Sequence, residues 1–165
     1  PTAIEGKGTF NTQPDCYNVA RDFDCTMTFA DKTSNRLTSG PNELILAGDK
    51  GRIRVNRGSL TGKPVEEIMS SKSEQEKLNE SVRELYGGNP QPHMVNFFAS
   101  IKSRKQPVSD VFTHHRSVSC CHLANITMLT GRKLTWDPQK EDFVGDEQAS
   151  AMVAREQRAG FEIDA

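Results

Sequence analysis

Asp110 and His114 lie four residues apart, an acid and an imidazole one turn apart on any helix that spans them. Such a pair could do general acid–base work, with the carboxylate orienting the imidazole. The aspartate also stands where a helix N-cap belongs, and the histidine would then be one more residue of the helix's inner face. The cluster that follows, His114, His115, Cys120, Cys121 and His122, offers metal-ligand types without ligand geometry. On a helix His114 and His122 sit roughly 12 Å apart along the axis, whereas zinc ligands converge within about 2.3 Å of the metal. None of the five has another at i+3 or i+4, so the helix offers no ligand pair and no metal is expected. Cys120 and Cys121 are adjacent rather than spaced C-x-x-C, which carries no redox signature.

Other polar groups could bind rather than react. Arg52 and Arg54 alternate with Ile53 and Val55 on a strand-like run, so their side chains share a face able to meet an anionic ligand, a substrate or another subunit. A solvated strand face is the plainer reading of the same pattern. His93, beside Pro92 at a helix start, could reach a ligand but stands isolated. Gly48-x-x-Gly51 joins two strands and has no helix behind it to hold a phosphate, so it is a turn and not a nucleotide loop.

These residues need positioning elements. Residues 1–62 have period 2: Phe23, Cys25, Met27 and Phe29 fall on one face, and the run 43–55 around Gly48-Asp49-Lys50-Gly51 is the sharpest hairpin signal. One sheet face is expected to be core and the other polar and basic. Residues 64–131 change to period 3.6. Ser73-x-x-Glu76 reads as a capping box, followed by the stripe Leu78, Val82 and Leu85. A second helix starts near Pro92 with Met94, Phe97, Phe98 and Ile101 inward, and Pro107 stops it. The longest helix runs from an Asp110 cap to a C′ glycine at Gly131. Val111, His114, Val118, Cys121, His122, Asn125 and Leu129 share its expected inner face, where buried polar groups would require partners. Lys133–Trp136 reads as a strand returning to the sheet edge, residues 146–157 as a helix, and the end as frayed.

The 165 residues fit one domain, 1–165: 1–62 mainly sheet, 64–131 mainly helical, and 132–165 an edge strand, a short helix and a tail. The expected class is α+β, a largely antiparallel open sheet with helices packed on one face. At 35% hydrophobic and 26% charged residues the chain reads as soluble and globular. With 21 basic against 22 acidic residues, nucleic acid is not expected as a main partner. No apolar run is long enough to span a membrane. Four cysteines are too few for a disulfide scaffold, which leads to an expectation of reduced thiols and a cytoplasmic setting. The opening at Pro1 has neither a basic nor an apolar leader segment, and its strand-like start is expected of a piece of something longer.

Two stretches carry a resemblance. ELILAGDKGRIRVNRG, at 43–58, resembles the strand–turn–strand with a G-x-x-G turn in the C-terminal domain of the Gfo/Idh/MocA oxidoreductases. The segment 93–146 resembles the end of that domain. It is especially similar to the branch abundant in planctomycete-type bacteria, through its N-F-x-x-x-I-K-S-R-K-x-P-V-S-D-V segment (96–111) and its W-D-P-x-K-E-x-F close (136–143). The resemblance implies a Gfo/Idh/MocA C-terminal domain-like fold, lacking an N-terminal Rossmann domain that would hold NAD or NADP. It implies a parent enzyme acting on a sugar, inositol or related polyol, and self-association into a homo-oligomer through the open sheet face. The family's E-K-P tripeptide is absent here. Its D-x-x-x-H motif lies before the large sheet whereas Asp110–His114 comes after it, so that role is not carried over. The fragment alone is therefore expected to be inactive. Two other readings stand beside this one: a non-catalytic self-associating scaffold or binding module, and a metal-dependent enzyme using the histidine cluster.

Overall fold

A computed structural model describes residues 1–163. It is α+β, with eight strands in two antiparallel sheets and five helices among the described residues. The packing divides the chain into two compact units, Pro1–Ser39 with His115–Ala165, and Gly40–His114. The sheet-rich block 1–62 and the helical block 64–131 both cross this division.

The first unit is built on a five-stranded sheet in the order β3-β2-β1-β7-β8. Here β1 is Ala3–Thr9, β2 Asp22–Thr28, β3 Ser34–Thr38, β7 Leu134–Asp137 and β8 Asp142–Phe143. The register sets Ile4 opposite Met27 and Gly6 opposite Cys25, so the alternation read over residues 23–29 holds. Those residues turn toward the long helix α4, Val111–Thr130, and form the core with Leu123, Ala124, Ile126, Leu134, Trp136, Phe143 and Ala149. Trp136 and Phe143 meet edge to face, with centroids 5.0 Å apart. The opposite face is polar, with charges of both signs: Asp24 pairs with Arg36, and Glu5 lies 3.5 Å from Lys133.

In the second unit β4 (Glu43–Gly48), β5 (Gly51–Asn56) and β6 (Leu60–Thr61) form a separate three-stranded sheet. The hairpin is closed by an Asp49-Lys50 turn between paired Gly48 and Gly51. Gly51 has φ 137° and faces the Pro64 ring, a position that favours glycine. Helices α1 (Lys63–Ser70), α2 (Lys72–Tyr86) and α3 (His93–Ser103) follow. None of the residues of this unit is buried.

Several expectations are corrected. The 1–62 block is two sheets, because β3 pairs back onto β2 and the chain then starts a new hairpin. The α2 cap is Ser71, whose hydroxyl accepts from the Glu74 amide; Ser73 and Glu76 lie inside the helix, displaced by the unanticipated α1. The stripes on α2 and α3 stay exposed, with Leu85 70% and Phe98 55% accessible. On α4 the caps are where the sequence puts them: Asp110 Oδ1 accepts from the amides of Phe112 and Thr113, and Gly131 has φ 67°. The buried face is not. Leu123, Ala124, Ile126 and Thr127 are buried, while Val111, Val118 and Leu129 are exposed. The glycines opposite decide this: a Cβ on Gly8 would sit 3.0 Å from the Met128 sulfur, so α4 approaches β1 there. β7 lies inside β8 rather than at the edge. The 146–157 helix shrinks to α5, Glu147–Ser150, capped by Asp146.

Candidate functional site

Arg52 and Arg54 project from β5 on the side opposite Ile53 and Val55, as their alternation requires. With Ile45, Thr61, Gly62 and Lys63 they line an open depression of about 590 Å³. Gly62 makes it possible: its φ is 123°, and a side chain there would collide with the Arg52 carbonyl. The chain can therefore turn from β6 straight into α1 and set Lys63 beside Arg52. The Arg54 guanidinium is engaged by the Glu43 carboxylate, whose hydrogen bond and charge raise its pKa. Lys63 lies 3.6 Å from the Glu67 carboxylate, and Arg52 has no ion-pair partner among the described residues, so Arg52 is the cation of this lining open to an anion.

His93 is the first residue of α3 and exposed, beyond an N-cap Pro92 that offers no side-chain bond. It belongs to neither concavity described here.

Asp110 and His114 do not form an acid–imidazole dyad. Asp110 spends Oδ1 on two helix amides, and its Oδ2 accepts the Thr113 hydroxyl at 2.6 Å. The Thr113 hydroxyl bond, more than any other contact, holds its carboxyl below the usual range. The His114 Nε2 is instead 2.5 Å from Ser109 Oγ, in the turn before α4. The carboxylate is a cap, and the partner that holds the imidazole is the Ser109 hydroxyl rather than an acid.

A second concavity, absent from the sequence reading, runs along α4 in the first unit and encloses about 740 Å³. Its α4 wall carries His115, Val118, Ser119, His122, Asn125 and Leu129, and residues 151–155 and Asn18 line it as well. At one position His115 Nε2 meets Glu141 Oε1 at 2.9 Å. Glu141 holds φ 51°, a left-handed conformation in the β7–β8 turn. Ser119 is committed to the His115 carbonyl. The signal was present in the sequence as a stripe mixing polar and apolar residues at helical spacing. It reads as a buried face until the core is known to lie on the neighbouring one.

No group of three or more His, Cys, Asp or Glu among the described residues could hold a metal ion. No helix among them is long and apolar enough to cross a membrane.

Against this background residues 20–163 match the family model described as oxidoreductase family, C-terminal alpha/beta domain, of the Gfo/Idh/MocA enzymes. The chain belongs to the Gfo/Idh/MocA oxidoreductase family. The match takes in the second unit and the first from residue 20 onward, including the G-x-x-G hairpin of β4–β5 and the whole of α4 but not β1. No curated protein and no solved structure matches the chain. The Gfo/Idh/MocA C-terminal domain thus accounts for the α+β architecture and for the order of hairpin, helices and returning strand.

Proposed function

We propose that this chain is the substrate-binding and oligomerisation part of an NAD(P)-dependent oxidoreductase that acts on a sugar, inositol or related polyol. The observation that carries the reading is the family match over residues 20–163, a domain described as C-terminal within oxidoreductases. The sequence contains no G-x-G-x-x-G fingerprint, so the nicotinamide cofactor would be held by a Rossmann domain outside these residues. That domain would supply hydride chemistry, and the present chain would supply contacts to the alcohol. Asp110 is engaged as a helix cap and His114 meets Ser109, so the two do not act as an acid–imidazole pair in this reading.

Calorimetric titration with NAD(H) and NADP(H) tests this, on the chain alone and on a longer protein carrying it behind a Rossmann domain. Binding by the longer protein only is the expected result. Binding by neither would overturn the oxidoreductase reading.

Self-association is favoured by a separate observation. On the three-stranded sheet Leu44, Leu46 and Leu60 are 53%, 54% and 52% exposed, more apolar side chain than a strand face normally shows to water. We read that open face as the homo-oligomer contact, and it also suits the second reading, a non-catalytic self-associating module. Light scattering should give a mass above 18.3 kDa per particle. A Leu46→Asp chain should give the monomer, and a wild-type monomer would remove both readings of this face.

A further inference from the structure

We propose that the second unit, Gly40–His114, is an insert that opens and recloses by itself while the first unit stays folded, so that the chain has two stabilities rather than one. The inference does not depend on the substrate or cofactor reading above.

Apolar burial is divided unevenly between the two units. Every buried apolar residue among those described, from Ile4 to Ala149, belongs to the first unit, and the second buries none. Burial is the main contribution that offsets chain entropy, so a unit without it is left with a small margin. Local contributions do not make up the difference. The helices of the second unit are 8, 15 and 11 residues long, no longer than the ~12–15 residues at which an isolated helix is marginal in water. α1 and α3 form no side-chain N-cap bond, and α3 ends on Arg104 in the left-handed region, at φ 57°. Glu76, Glu80 and Glu84 repeat at i, i+4 and i+8 along α2, where like charges repel. On α3 Met94, Val95, Phe97, Phe98 and Ile101 are all exposed, and the helix is tied down by Asn96, whose Oδ1 accepts the Val108 amide at 3.0 Å.

The first unit closes without the insert. Ile4 of β1 lies between Met27, which precedes the insert, and Leu134, which follows it, so one strand joins the two flanking stretches of chain. α4 crosses the division at His114, but its buried residues, Leu123, Ala124, Ile126 and Thr127, all lie in its second half. Opening of the insert would therefore release the Asp110 cap and fray the first turn of α4 without unpacking the core. The depression around Arg52 lies wholly inside the insert and exists only while the insert is closed.

The sequence supplies its own reporter. Trp136, the one tryptophan, is buried in the core of the first unit, so its fluorescence follows that unit alone. The larger share of the helical circular dichroism comes from α1, α2 and α3 of the second. The test is a urea titration of the whole chain followed by both signals. Dichroism should fall first, at a midpoint about 1 M urea or more below that of Trp136 fluorescence. In native-state hydrogen exchange the amides of residues 43–103 should exchange at least about 100-fold faster than those of β1, β2 and residues 123–127. Gly62→Ala presses a Cβ onto the Arg52 carbonyl inside the insert. It should lower or abolish the first transition and leave the Trp136 midpoint where it was. A first transition that rises with protein concentration above a fixed Trp136 midpoint would also support the proposal, because association then closes the insert alone. Coincident transitions, equal protection in the two units, or a Gly62→Ala chain whose Trp136 midpoint falls in step with its dichroism would overturn it.

Discussion

Arg132 Nε and Nη2 meet the two carboxylate oxygens of Asp146 at 2.7 Å each, a bidentate pair that joins the end of α4 to the start of α5. The same guanidinium reaches Gln148 Oε1 at 2.9 Å, and Asp146 Oδ1 caps α5 by accepting the Ala149 amide. Two planar groups meeting edge to edge hold geometry better than a single contact would. The pair thereby fixes the segment that leads into residues 151–155 of the groove.

The Arg132 hydrogen bond, more than any other contact, lowers the Asp146 carboxyl from 3.8 to about 2. A depressed carboxyl pKa stabilises the fold at pH above its unfolded value, and that contribution is lost as pH falls through the folded value. The wild-type chain should therefore lose this stabilisation between pH about 4 and about 2. Asp146→Asn retains a cap acceptor but no charge, so its acid-unfolding curve should be flatter over that window. Parallel curves for the two proteins would show that the pair contributes nothing to stability.

Gly6 faces Cys25 directly across the β1–β2 ladder. A Cβ at this position would collide with the Cys25 sulfur and also lie 2.7 Å from the Cys25 Cα and 2.8 Å from the Asp24 carbonyl, so backbone as well as side chain must yield. Gly6→Ala should cost at least about 2 kcal/mol in urea unfolding, as overpacking does. A change within about 0.5 kcal/mol would mean that the strands separate there without penalty.

Thr127 is fully buried on α4, and its hydroxyl has no hydrogen-bond partner among the described residues. Thr127→Val exchanges that hydroxyl for a methyl of similar shape and should raise stability by about 1 kcal/mol. Leu123→Ala, in the same core, should cost about 2–5 kcal/mol by leaving a cavity. A destabilised Thr127→Val would point to a water or a relaxed contact that satisfies the hydroxyl.

Burial, and to a lesser degree the Asp24 charge, pushes the Cys25 thiol up, so it stays protonated and shielded. Cys16 and Cys121 are exposed. At pH about 8, near the ordinary thiol range, a disulfide reagent should modify those two promptly and Cys25 only as the chain unfolds. Fast native-state labelling of Cys25, read by mass spectrometry, would contradict the packing of β2 under α4.

Local chemistry was legible in the sequence wherever a signal needed no distant partner. The β4–β5 hairpin follows from period-2 alternation around a glycine-bounded turn. The Asp110 cap and the Gly131 terminus follow from what helix ends require of the backbone. The alternation at Phe23, Cys25 and Met27 already identified the inward face of β2. The α+β class and the family resemblance rested on the same local signals.

Only the tertiary structure decided what those elements face. α4 carries apolar residues on more than one side, so its helical wheel permits several burial directions. The small surface of Gly8, on a strand more than a hundred residues earlier, lets α4 approach on the side of Leu123, Ala124 and Thr127. That choice turned His122 and Asn125 from expected interior residues into the wall of a groove. The division of residues 1–62 into two sheets has the same origin. β1 finds β7 as its second neighbour, and such long-range pairing depends on which edges are free once the chain has collapsed, which no window of sequence records.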